Sequence, residues 1–250
     1  MIETVGFVLE LVGVASAAVS GTMVAIEKKC DAFGVLFLAI ITALGGGILR
    51  DTMIGHLPPR MFTSYAYIVT ALFFSLTVFL TALRHHERYH AAKDKLDHVN
   101  NWFDAVGLAA FTVAGVDLTI AAIGMEAPLT PILLGLVTGV GGGVLRDVLT
   151  GTMPRLLYKR IYALASLGGA ILHYLLLRLG VHSTLSAALT IALIVLLRYF
   201  EDRSIAEIAE ILQVPQGTVM SRLFNARVAL RKMLSDGKAR GGKNELQGMP

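Results

Sequence analysis

One cysteine in 250 residues, Cys30, rules out an intrachain disulfide and any cysteine-rich metal site. Charge is scarce as well: Asp, Glu, Lys and Arg make up 16% of the chain, where a soluble domain carries about 25%. A sequence that is 55% hydrophobic, with a mean hydropathy of +0.67, is neither a disordered chain nor an ordinary soluble enzyme. The sequence also lacks a nucleophile–base set, a cofactor fingerprint and a His/Cys ligand spacing, so no enzymatic activity, cofactor or metal is expected. The composition describes a membrane protein.

The few charges are unevenly placed. Residues 1–199 hold 14 Lys/Arg and 12 Asp/Glu, and residues 200–250 hold 8 and 6, so charge density roughly doubles in the last fifth of the chain. An integral membrane region followed by a short water-soluble segment is the organisation this implies.

A hydrocarbon core about 30 Å thick needs about 20 mostly apolar helical residues, and seven stretches qualify: Phe7–Ile26, Ala32–Leu49, Tyr65–Leu83, Ala105–Met125, Ala127–Leu145, Ile161–Leu177 and Gly180–Leu197. They are continuous apolar runs and not the alternating segments of an outer-membrane barrel, so the expected fold is all-α and polytopic. The first span is preceded by Glu3 and lacks a basic leader region, so it is not read as a cleaved signal peptide. Lys and Arg favour the cytoplasmic side in short loops. Loops 1, 3 and 5 hold ten (Lys28, Lys29, Arg84, Arg88, Lys93, Lys95, Arg146, Arg155, Lys159, Arg160), against three in loops 2, 4 and 6 (Arg50, Arg60, Arg178). In an inner membrane this puts the N-terminus outside and the C-terminus in the cytoplasm.

The spans contain an internal repeat. Gly45-Gly46-Gly47-Ile48-Leu49-Arg50-Asp51 recurs as Gly141-Gly142-Gly143-Val144-Leu145-Arg146-Asp147, and Gly55 recurs as Gly151, all at an offset of 96. Pro59-Arg60 returns as Pro154-Arg155 at 95, and Val12-Gly13 and Gly21 return as Val106-Gly107 and Gly115 at 94. Because each copy has three spans, the second enters the membrane from the opposite side: a 3+3 inverted repeat (about 5–84 and 102–178) plus a seventh helix (about 180–197). Each glycine costs a helix about 1 kcal/mol relative to Ala, so each triplet is expected to break its helix where the backbone lines a cavity. The alternative is close helix packing through small residues. Arg50 and Arg146 would set the field or hold a gate, with Asp51 and Asp147 as partners or solvated ends.

GGGxxRD, twice, together with the Lys28–Asp31 loop and Phe33-Gly34, resembles the prokaryotic members of the trimeric intracellular cation channel (TRIC) family, also called the glycine transporter domain family, over residues 1–198. The resemblance implies a homotrimer in membrane lipid, each subunit conducting potassium around the glycine-broken second and fifth spans. It maps the pathway onto Gly45, Gly46, Gly47, Arg50 and Asp51, and onto Gly141, Gly142, Gly143, Arg146 and Asp147. A second reading is a carrier of glycine or another small amino acid, held by half-helix ends. Asp117 departs from the resemblance, which suggests a neutral polar or basic residue there. An intramembrane carboxylate is a functional candidate by default: it would bind a cation or pair with Arg146, or else stay protonated against a helix backbone. Glu10 and Asp104 read as interfacial. His85, His86, His90 and His98 lie in the third loop, which reads as a solvated helical extension.

After Leu197 a helix-turn-helix pattern appears. Ser204 and Glu207 form a capping box, Ile205, Ile208, Ala209, Ile211 and Leu212 an apolar stripe, Val214–Gly217 a break, and Thr218 the start of a second helix. The segment 197–234 resembles region 4 of extracytoplasmic-function sigma factors. That implies promoter DNA or RNA polymerase as partner, with Gln216, Thr218, Ser221, Arg222, Asn225 and Arg227 at the DNA. The seventh span replaces the helices that would complete such a module, so a helical hairpin lying on the membrane or on its own trimer is the competing reading. Boundaries are set at 199–235 for this segment, and residues 236–250 are expected to be disordered.

Overall fold

A computed structural model describes residues 2–85, 93–158, 160–201, 205–226 and 228. Its helices, in chain order, are α1 (Ile2–Glu27), α2 (Ala32–Met53), α3 (Arg60–Thr63), α4 (Tyr65–Arg84), α5 (Lys93–Ile123), α6 (Leu129–Leu149), α7 (Arg155–Tyr158), α8 (Arg160–Arg178), α9 (Ser183–Glu201) and α10 (Ile205–Ile211), with a further helical segment over 216–226. Seven of them are long and apolar enough to cross a membrane: α1, α2, α4, α5, α6, α8 and α9. The fourth span starts at Leu96, more than two turns before Ala105, and its first turns are tied into the fold by the buried Asn100 and Asp104, which accept from Ser20 and Arg146. The chain divides into two compact units, 1–199 and 200–250.

Local chemistry sets the ends. Lys29 takes a left-handed φ of 57° to close α1, with the Cys30 amide reaching back to the Ala25 carbonyl at 3.0 Å in the arrangement that satisfies last-turn carbonyls. Two residues later Asp31 caps α2, accepting from the Gly34 amide at 2.7 Å. Gly55 and Gly151 occupy equivalent positions after α2 and α6 with φ of 75° and 65°, a region costly for residues bearing a β-carbon. Each lets the next amide (His56, Thr152) bond the carbonyl of Asp51 or Asp147, at 2.8 and 2.9 Å.

The first repeat packs α1, α2 and α4 together, and the second packs α5, α6 and α8 in the same relation. The two halves meet where α1 lies on α5 and α2 on α6. Val14, Ala17, Ala18, Ala43, Leu44, Tyr67 and Phe111 fill the first half's core, and Leu108, Ala109, Val140, Tyr162 and Ala165 the second's, where Ile194 of α9 joins them. Phe73, Phe74, Leu76 and Leu80 of α4 are exposed, as expected of a helix facing lipid or a neighbouring subunit.

Both glycine triplets lie inside uninterrupted helices. The expected breaks in the second and fifth spans are absent from the described backbone, and the reason is packing: the triplets are where α2 and α6 touch. A β-carbon on Gly46 would overlap the Thr138 carbonyl, one on Gly142 would overlap the Thr42 carbonyl, and one on Gly141 would lie 3.1 Å from the Gly46 Cα. The lost propensity is exchanged for backbone-to-backbone approach.

Candidate functional site

The arginine after each triplet is fully buried and meets carboxylates. Arg50 Nη1 donates to Glu10 Oε1 at 2.9 Å, and its Nε donates to Asp51 Oδ1 at 2.8 Å. Tyr67 closes the cluster by donating to Glu10 Oε2 at 2.6 Å. In the second repeat Arg146 Nη1 donates to Asp104 Oδ1 at 3.0 Å and its Nε to Asp147 Oδ1 at 2.9 Å. Neither Asp51 nor Asp147 is a solvated end. Each gives one oxygen to its arginine and the other to a backbone amide that opens a short helix: Arg60 N to Asp51 Oδ2 at 2.8 Å, Arg155 N to Asp147 Oδ2 at 3.0 Å.

Glu10 and Asp104 correct the interfacial reading: they are 1% and 7% exposed and act as the counterions of the two arginines. They stand 94 residues apart, as Gly21 and Gly115 do, and Tyr67 and Tyr162 stand 95 apart like Arg60 and Arg155. The offsets already found in the sequence would have located all four. The orientation count changes as well, because Arg50 and Arg146 sit in spans and not loops. Nine loop cations still face two, so the asymmetry survives.

The clusters are not identical. The longer Glu10 serves Arg50 and Tyr67, whereas Asp104 is approached by Arg146, by Arg155 Nη1 at 3.4 Å and by Arg198 Nη2 of α9 at 3.5 Å. Arg198 also lies over the Tyr162 ring, 4.7 Å from its centroid. By formal charge the first cluster (Arg50, Glu10, Asp51) is negative by one, and the second (Arg146, Arg155, Arg198, Asp104, Asp147) is positive by one. Arg146 additionally reaches across the repeat boundary, donating to Ser20 Oγ at 2.8 Å, and Ser20 donates to Asn100 Oδ1 at 2.7 Å.

Thr42 and Thr138, 96 residues apart, sit between the clusters. Each hydroxyl donates to the carbonyl one turn back, Leu38 at 2.6 Å and Leu134 at 2.5 Å. Each abuts the glycine of its own repeat: a β-carbon on Gly21 would lie 2.7 Å from Thr42 Oγ1, and one on Gly115 2.6 Å from Thr138 Oγ1. A cavity of about 20 Å³ adjoins this crossing, lined by Ser20, Thr42, Asp104, Gly142, Gly143 and Arg146 among others. That is room for about one water. The remaining triplet glycines face side chains, Gly45 toward Leu145, Gly47 toward Met61 and Gly143 toward the Tyr162 hydroxyl.

Asp117 is not part of this assembly and does not pair with Arg146 or a helix backbone. Its Oδ1 lies 2.9 Å from His173 Nε2, and His173 Nδ1 lies 2.8 Å from Ser186 Oγ.

In the second unit, the turn after α10 is made by Gln213 with φ of 51°, and the Val214 amide bonds the Ala209 carbonyl at 3.0 Å. The next helical segment, 216–226, begins at Gln216 and not Thr218, since the Pro215 carbonyl already accepts from the Thr218 amide at 2.8 Å. Ala209 and Val219 are buried, while Gln216, Ser221, Arg222 and Asn225 are exposed and Thr218 is half-buried. Arg227, Ser204, His86, His90 and residues 236–250 lie outside the described residues. No group of three or more His, Cys, Asp or Glu side chains that could hold a metal occurs among the described residues.

Fold and site together define a polytopic helical membrane protein, built as two inverted three-span repeats whose buried arginine–carboxylate clusters flank a glycine–threonine crossing. A family profile described as glycine transporter matches residues 7–82 and 101–178, and the chain belongs to that family. It is 39% identical over 166 residues to the UPF0126 inner membrane protein YadS of Escherichia coli K12, covering 66% of this chain and 75% of that protein. It is also 39% identical over 168 residues to the UPF0126 membrane protein YvgT of Bacillus subtilis, covering 65% and 77%. Among solved structures it is similar to the TRIC trimeric intracellular cation channel orthologue from Rhodobacter sphaeroides, at 31% identity and a TM-score of 0.70, over 78% of this chain and 96% of that one. A second TRIC cation channel structure aligns at 28% identity and a TM-score of 0.66, over 82% and 93%. A profile for sigma-70 region 4 matches residues 192–230. The extracytoplasmic-function sigma factor SigW of Bacillus subtilis is 46% identical over 43 residues, 17% of this chain and 23% of that protein.

Proposed function

We propose that the protein is a monovalent cation channel, selective for potassium, that works as a homotrimer with its N-terminus outside and its C-terminus in the cytoplasm. The observation that carries this reading is the crossing of α2 and α6 at Gly46–Thr138 and Gly142–Thr42, with a buried arginine cluster at either end. Under this orientation the cluster negative by one faces outward and the cluster positive by one faces the cytoplasm. Cations are drawn to the outer cluster and must displace or neutralise the inner one, so Arg146 acts as the gate. The one-water cavity beside Arg146 belongs to a closed state, and opening separates α2 from α6. Likeness to TRIC channels over 93–96% of their length supports the reading. Liposomes with a potassium gradient should show dye-reported flux through the full chain. Saturable, gradient-coupled uptake of labelled glycine with little potassium leak would instead establish the carrier reading, which the description of the family profile favours.

For the second unit, the region 4 likeness supports a duplex-binding role through Gln216, Thr218, Ser221, Arg222, Asn225 and Arg227. The match begins at residue 192, inside α9, so membrane span and DNA module share residues. Duplex binding that weakens steeply with salt is expected of this reading, and no binding at low salt would remove it.

A further inference from the structure

The repeat symmetry fails at a buried pair of ionisable residues. Asp117 and His173 of the second repeat correspond to Met23 and Val78 of the first, by the same offsets of 94 and 95 that relate the rest of those helices. Nothing in the repeat architecture therefore requires them. His173 is fully buried and Asp117 is 4% exposed, and the pair is completed by Ser186 of α9, which has no counterpart in either repeat.

The geometry orients one carboxylate oxygen and leaves the other unused. Ser186 Oγ lies 2.8 Å from His173 Nδ1 and His173 Nε2 lies 2.9 Å from Asp117 Oδ1, so the imidazole bridges the hydroxyl and one carboxylate oxygen. Asp117 Oδ2 is buried and has no hydrogen-bond partner among the described residues, and neither has Ser183 Oγ. Both residues line one cavity of about 300 Å³, whose other walls are Ile120, Ala121, Met125, Leu177, Gly180 and Val181. The cavity lies where α5 and α8 end and α9 begins, at the end of the membrane spans. An unpaired buried carboxylate oxygen is costly, and Asp117 borders a space large enough for a small organic molecule.

We propose that this cavity is a binding site for a small primary alkylammonium, its charge held by Asp117 Oδ2 and Ser183 Oγ and its hydrocarbon by the apolar wall. An inorganic cation must exchange its hydration shell for several oxygens, and two side-chain oxygens without partners border this cavity. An ammonium needs only one to three acceptors, and its apolar body matches the lining. The ammonium belongs either to a free amine or to an ethanolamine headgroup at the membrane interface. His173 and Ser186 are positioning residues that hold Asp117 in place.

The test is calorimetric titration of the full-length protein, in phosphatidylglycerol nanodiscs, with n-butylammonium. Saturable binding is expected, weakened at least tenfold by Asp117→Asn and not reproduced by 1-butanol. Val181→Phe, which fills the cavity and leaves the Asp117–His173–Ser186 array untouched, should abolish binding as well and serves if Asp117→Asn does not fold. Loss of apparent affinity in phosphatidylethanolamine nanodiscs would identify the headgroup as the source, and unchanged affinity a free amine. Equal binding of 1-butanol, full binding by either variant, displacement by potassium at comparable concentration, or no binding at all would overturn the proposal.

Discussion

Gly142 meets the carbonyl of Thr42 with no room for a β-carbon, and the same contact recurs between Gly46 and Thr138. Two helices of opposite repeats are clasped at both points by the shortest side chain available. Any motion that widens a path between α2 and α6 has to undo these contacts.

Gly142→Ala and Gly46→Ala therefore push against backbone, which yields less readily than a flexible side chain. Each should destabilise the folded protein by about 1–3 kcal/mol, the range for overpacking, and should change flux more than an alanine at Gly6 or Gly168, where a β-carbon meets nothing within 4 Å. Thermal melts in detergent and liposome flux on the same preparations check both parts.

The buried arginines are structural as well as electrostatic. Arg50→Met strands Glu10 and Asp51, and loss of one partner of a buried pair costs about 3–5 kcal/mol. Glu10→Gln, which keeps the hydrogen bonds to Arg50 and Tyr67 in part, should cost less. The double variant Arg50→Met/Glu10→Met should recover part of the loss of Arg50→Met alone, since it removes one of the two stranded carboxylates and leaves only Asp51 without its arginine. A double-mutant cycle on melting measures the coupling, and simple additivity would show the pair to be uncoupled.

Removing the Tyr67 hydroxyl leaves Glu10 Oε2 without its 2.6 Å donor. Tyr67→Phe should lower stability by about 1–3 kcal/mol, the cost of a buried unsatisfied group, while Tyr65→Phe, at an exposed position, should be silent. Denaturant melts of the two variants side by side decide it.

Arg198 joins α9 to the second cluster through Asp104 and the Tyr162 ring. Truncation after residue 199 keeps that contact and should leave the fold of the first unit intact. Arg198→Ala in the full chain should instead loosen the Asp104 cluster and alter gating. Currents from the two proteins compare the effects; equal behaviour would show Arg198 to be dispensable.

Much of this was legible in the sequence. Seven apolar runs, the odd-numbered repeat and the paired GGGxxRD motifs suffice for the membrane fold and for Arg50, Asp51, Arg146 and Asp147. The breaks did not follow, because helix propensity cannot tell a glycine that ends a helix from one that admits a neighbouring backbone. Glu10 and Asp104 stand at the same 94 offset as Gly21 and Gly115, but the repeat substitutes Glu for Asp there, so a search for identical residues passes over them. Thr42 and Thr138 share the 96 offset and lie three residues upstream of each triplet, so extending the repeat by one helical turn would have found them. Asp117 stood out as a lone intramembrane carboxylate, but its partners His173 and Ser186 come from two later helices that no local pattern links to it.

The central claim is that cations pass where α2 and α6 cross. Planar-bilayer recording of the full-length protein in symmetric potassium tests it most directly, with Thr42→Val as the comparison, since that change removes one hydroxyl at the crossing and keeps the shape. The account predicts discrete potassium currents whose unitary amplitude falls in Thr42→Val while the protein stays folded. Unaltered unitary amplitude in a folded Thr42→Val protein, or no unitary currents alongside saturable glycine uptake, would contradict it.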